Sequence, residues 1–167
     1  MSVEKDYSGE IKWADGLLSY KAEGVSWDLK ISDIRLVGEY TTANGPHIDD
    51  YFLVFLTAFE GGWHEASFYA RGRDKVLTAL SVVLGAPIET GLCNSAQYKT
   101  RIIWPPKWKD QELMDVLPSK KKGLLARLFD SGERDIVPSK AMHEVFKNEQ
   151  TAQPGGTDNS GTSSLGV

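Results

Sequence analysis

The feature that most constrains this chain is a change of hydrophobic period, from two before residue 70 to about 3.6 from Arg73 onward. Val25, Trp27, Leu29 and Ile31 share one face while Ser26, Asp28 and Lys30 take the other, which predicts a half-buried strand. Ile11 and Trp13 alternate before Asp15-Gly16, a turn that returns the chain into Leu17 to Lys21 as a hairpin. Ser32-Asp33 breaks the third strand, Ile34 to Thr42 forms the next, and Ala43-Asn44-Gly45-Pro46 is a loop. Tyr51 to Ala58 is apolar on both faces and reads as a central strand. Glu60-Gly61-Gly62 then turns the chain back into Trp63 to Ala70. Six strands in a meander are expected.

From Arg73, the residues Val76, Leu77, Leu80, Val83 and Leu84 form one stripe, with Gly85 and Pro87 as the stop, predicting an amphipathic helix over 73–84. Tyr98 to Trp104 reads as a further strand, ended by Pro105-Pro106 because proline cannot donate to a ladder. Short helices are predicted over Lys109 to Leu117, Lys120 to Phe129 and Ser139 to Lys147. The expected fold is α+β, a predominantly antiparallel meander or partly open barrel capped by one amphipathic helix. Residues 1–9 form an arm, 10–117 the β-rich domain and 118–149 a helical C-terminal extension. Residues 150–167 are Gly/Ser/Thr-rich with almost nothing to bury and are expected to be a disordered tail.

An antiparallel meander followed by one capping helix, with two strands joined through Ile31-Ser32-Asp33-Ile34, resembles the bacterial pleckstrin-homology-like and GRAM-type domains over residues 10–86. The resemblance implies a small barrel plugged at one end by the helix. Members that bind inositol lipids cluster Lys and Arg around the first hairpin, since phosphates need several cationic donors. Here Trp13-Ala14-Asp15-Gly16-Leu17 is flanked by Lys12 and Lys21 alone, so the protein-binding members are the better analogy.

Charge narrows the partners. The first 60 residues hold eleven acids and five bases, net −6, against a total of −4, so a surface built to coat nucleic acid is excluded. Cys93 is the single cysteine, which forbids an internal disulfide and suits a reducing cytoplasm, and Met1 to Asp6 is charged where a secretory signal would be apolar. The longest nearly unbroken apolar run, Tyr51 to Phe59, is far short of the roughly 20 residues that span a bilayer.

The sequence carries no nucleotide-binding glycine loop, zinc-protease helix, hydrolase elbow or paired-cysteine motif. His47, Asp49 and Asp50 share one loop and could serve an acid/base pair or a cation, though acids beside Gly and Pro are what a solvated loop contains. No metal or cofactor is called for. Cys93 would be a nucleophile if a histidine lay beside it, and otherwise a small hydrophobe. His64 and Glu65, adjacent on a strand, point to opposite faces.

Two segments are candidate partner-binding elements. Trp104 and Trp108 bracket a diproline, either as an interface anchor or folded back on the sheet. Lys120, Lys121 and Lys122 precede Leu124, Leu125, Leu128 and Phe129, an apolar stripe suited to self-packing, to docking in a partner, or to weak peripheral contact with an anionic membrane. The expected function is a small non-enzymatic cytoplasmic module, of bacterial type, that binds a protein. The alternatives are an immunity-type protein that neutralises a basic toxin or effector, and a hydrolase or transferase using Cys93 or His47 with Asp49 and Asp50.

Overall fold

The first hairpin is set by its turn. Asp15 and Gly16 both have positive φ, 51° and 77°, the backbone that joins two twisted strands with the least splay. In the computed structural model, which describes residues 8–43, 49–93, 95–118 and 134–150, this hairpin joins β1 (Glu10–Ala14) to β2 (Leu17–Ala22), and β3 (Val25–Lys30) completes a three-stranded antiparallel sheet. Its register places Ile11, Leu18, Tyr20, Trp27 and Leu29 on one face and Lys12, Lys21, Asp28 and Lys30 on the other, as the alternation predicts.

A single 3-10 turn, Ile31–Asp33, leads into a second antiparallel sheet. It contains β4 (Leu36–Thr41), β5 (Tyr51–Leu56), β6 (Trp63–Ser67) and β7 (Lys99–Trp104), in the order β6-β5-β4-β7. The six-strand meander is therefore corrected to two separate three-strand runs in two sheets, the second extended by a returning strand, and neither sheet closes into a barrel. Strand β5 ends at Leu56 because Thr57 N–H bonds to the Gly62 carbonyl, making a six-residue connection.

The inner face of the four-stranded sheet packs Val37, Leu53, Phe55 and Ile103 against Ile11, Leu18 and Leu29 of the first sheet and against α1 (Arg73–Val83). Val76 and Leu80 are buried on that helix, whereas Val83, predicted on the stripe, is 49% exposed. The residue falls at the last position of the helix, while Leu77 and Leu84 of the same stripe pack partly buried against the core. The outer face carries a second core, in which Leu36, Val54, Leu56 and Ile102 meet Ala141, Met142 and Phe146 of α2 (Lys140–Gln150). Burial on both faces explains why β5 reads as apolar throughout. Ser139 caps α2, accepting from Met142 N–H at 3.1 Å while donating to the Glu112 carbonyl at 2.6 Å.

The helix predicted over Lys109 to Leu117 is not formed. A 3-10 turn at Pro106–Trp108 is followed by β8 (Met114–Pro118), which pairs with β9 (Arg134–Pro138). Tertiary bonds override the helical pattern there, since Ile102 N–H reaches the Gln111 carbonyl, Asp110 N–H reaches the Ile102 carbonyl, and Thr100 Oγ1 accepts from both Leu113 and Met114 N–H. Those bonds hold residues 110–113 against β7 in turns and bends, with Asp110 at a positive φ of 68°. No helix among the described residues is long and apolar enough to cross a membrane.

Candidate functional site

The residues singled out from the sequence do not converge. Trp104 packs partly buried against the core between the sheets, and Trp108 against the core under α2. Asp49 accepts from Ser8 Oγ at 2.5 Å and Asp50 from Tyr69 Oη at 2.8 Å, so each carboxylate has its own hydroxyl donor. Cys93 is exposed. The two described histidines are engaged elsewhere, His64 edge-on to Trp27 with Nδ1 3.1 Å from the Gly62 carbonyl, and His143 against Phe59. His47, Lys120, Lys121, Lys122, Leu124, Leu128 and Phe129 lie outside the described residues. Among the described residues no group of three His, Cys, Asp or Glu side chains is placed to hold a metal.

Two clusters that the sequence reading passed over stand out. The first is buried. Glu39 sits at an inward position of β4 and is wholly inaccessible to solvent. Arg101, its register partner on β7, donates from Nε at 2.6 Å and Nη2 at 2.5 Å to Glu39 Oε1. Tyr51 Oη donates to Oε2, and Gly91 N–H reaches both carboxylate oxygens at 2.9 and 3.2 Å. Arg101 also donates to Asp110 Oδ1 at 2.6 Å and to the Glu89 carbonyl at 2.7 Å. Burial and the bond to Glu39 raise the Tyr51 phenol above its ordinary range. Burial lowers the Arg101 pKa, but Asp110 and Glu39 outweigh it and leave the guanidinium more firmly protonated than usual. A β-carbon on Gly91 would stand 2.8 Å from Arg101 Nη2, so glycine is what lets the backbone approach the guanidinium. With Glu39 filled by four donors, this cluster is a clamp that ties residues 89–92 to the sheet, and it offers no free base.

The second cluster faces outward. The register puts Tyr40, Phe52, Trp63 and Glu65 on the same outer face of the four-stranded sheet as Leu36, Val54 and Leu56, with Tyr40 partly buried against the core under α2 and Trp63 exposed at the start of β6. Tyr40 stacks on Phe52 with centroids 5.0 Å apart and lies 6.4 Å from the Trp63 ring. Tyr40 Oη and Trp63 Nε1 both donate to Glu65 Oε2, at 2.9 and 3.0 Å. Burial, then the neighbouring Glu65 carboxylate, raises the Tyr40 phenol well above its ordinary range, so it keeps its proton and stays a donor. Trp63 is 37% exposed although its N–H is spent on Glu65, so what it shows to solvent is ring.

No protein family, curated protein or solved structure matches this chain.

Both free edges of the four-stranded sheet are occupied. Trp27 Nε1 donates to the Glu65 carbonyl on β6 at 2.8 Å, and residues 110–111 bond along β7. Strand addition at these places would have to displace a native bond. The signal for the outer cluster was present in the alternation of Trp63, His64, Glu65 and Ala66. What was missing was the strand partner that sets Tyr40 and Phe52 beside it.

Proposed function

We propose that this chain is a non-catalytic binding module that docks a protein partner on the outer face of the four-stranded sheet, at Tyr40, Phe52 and Trp63. The observation that carries the reading is Trp63, an indole held in place by its own hydrogen bond to Glu65 and yet 37% exposed. A ring fixed before binding loses little freedom on association, and aromatic rings are enriched where partners bury surface. The separate engagement of Asp49 and Asp50, and the saturation of Glu39, support binding over catalysis. The net charge of −4 favours a basic partner, which keeps a toxin or effector antagonist as the second reading. Cys93, a lone cysteine, suits a reducing compartment such as the cytoplasm.

The test is affinity capture from the host with the full chain, its Trp63→Ala variant, and Val82→Ala, which alters a 78% exposed residue on α1. A protein held by the first and third and lost by Trp63→Ala, with melting curves unchanged, is the expected result. Equal capture by all three overturns the placement of the site.

A further inference from the structure

We infer that the outer-face cluster takes a guanidinium group, so that the recognised element is an arginine side chain presented by the partner. This deepens the docking reading above and rests on it. Among the described residues, Glu65 is the sole charge at the outward register positions of the four strands, so the face offers one carboxylate among rings. An ionised carboxylate has about four acceptor positions. Tyr40 and Trp63 both use Oε2, and among the described residues no cationic side chain pairs with Glu65. Among the described residues the remaining acceptor positions, chiefly those of Oε1, have no donor, and they suit one that arrives with the partner.

The rings favour the same ligand. The faces of Trp and Tyr are electron-rich and attract a cation, and Trp does so most strongly. With its N–H turned to Glu65, Trp63 offers its exposed ring beside the carboxylate that would accept the cation's hydrogen bonds. A planar guanidinium can lie against a ring while donating in its own plane to an adjacent carboxylate. An ammonium is a compact, strongly hydrated charge and gains less at a half-exposed surface. Glu65 is itself held by two donors, so the acceptor is oriented before the ligand comes.

The experiment uses the full nitrogen-15-labelled chain and three extended Ser/Thr peptides that differ at one central residue: arginine, lysine or citrulline, the neutral isostere of arginine. The readout is the indole N–H resonance of Trp63, assigned by its loss in Trp63→Phe. The arginine peptide is expected to shift that resonance, the lysine peptide to bind several-fold more weakly, and the citrulline peptide to leave it in place. Glu65→Gln should weaken the arginine peptide about tenfold, the weight of one charge-assisted hydrogen bond, with the melting curve unchanged. A citrulline or lysine peptide that binds as well as arginine overturns the inference, as does an arginine peptide that leaves Trp63 unmoved. If capture of the partner still depends on Trp63 in those cases, the docking site stands and the guanidinium assignment alone has failed.

Discussion

Arg101 lies directly opposite Glu39 in the register of β7 against β4, two residues 62 positions apart in the chain whose side chains meet on the buried face of the sheet. The pair does more than join two strands. Through Gly91 N–H and the Glu89 carbonyl it also draws the connection after α1 down onto the sheet, so loop and edge strand share one anchor.

Removing one partner of a buried pair leaves the other charged and unpaired, which costs about 3–5 kcal/mol, while removing both costs much less. Arg101→Met should therefore lower the unfolding free energy measured in urea by that amount, and Arg101→Met with Glu39→Gln should recover part of the loss. A single variant within about 0.5 kcal/mol of the parent would mean that water or another cation already satisfies Glu39.

Tyr51 and Tyr40 are raised above the usual phenol value of 10.0, first by burial and then by Glu39 and Glu65 respectively. In the unfolded chain both lose their protons near pH 10, whereas the folded chain still holds them, so above that pH the folded state binds more protons. Their stabilising contribution is complete below pH 10 and is lost as pH rises from there toward the folded values. Urea unfolding at increasing alkaline pH, followed by phenolate absorbance, should show stability falling, with a shallower slope in Tyr51→Phe. Identical slopes for the two proteins would contradict this account.

Trp27 and Asp28 are neighbours with opposite fates. The Trp27 ring lies against Tyr20, Phe55 and His64, while Asp28 is exposed on the polar face. Trp27→Ala should cost about 3–5 kcal/mol, and Asp28→Ala no more than about 0.5 kcal/mol. Equal costs in chemical denaturation would contradict the strand register.

Much of this fold is legible in the residues. The alternation through Trp27 to Lys30 and the Asp15-Gly16 turn are local signals that appear in the structure where the pattern puts them, whereas Val25, expected on the face of Trp27 and Leu29, is 49% exposed at the strand's first position. Lys109 to Leu117 misleads because its helical spacing is weak beside bonds from Thr100 and Ile102, which no local pattern reveals. The same limit hides both clusters. Glu39 stands out as a lone acid in an apolar strand, but its partner Arg101 becomes identifiable only when β7 is known to return beside β4. Tyr40, Phe52 and Trp63 come from three strands, and a single strand's alternation cannot bring them together.

The claim that partners dock on the outer face is tested most directly by a photoreactive benzoylphenylalanine placed at position 60, an exposed residue in the turn that leads into Trp63, and, separately, at position 82, in the full chain inside its host. A discrete crosslinked species is expected from position 60, abolished when Trp63→Ala is added without a change in folding, and none from position 82. Crosslinking from position 82 in place of 60, or none from position 60, would contradict docking at this face.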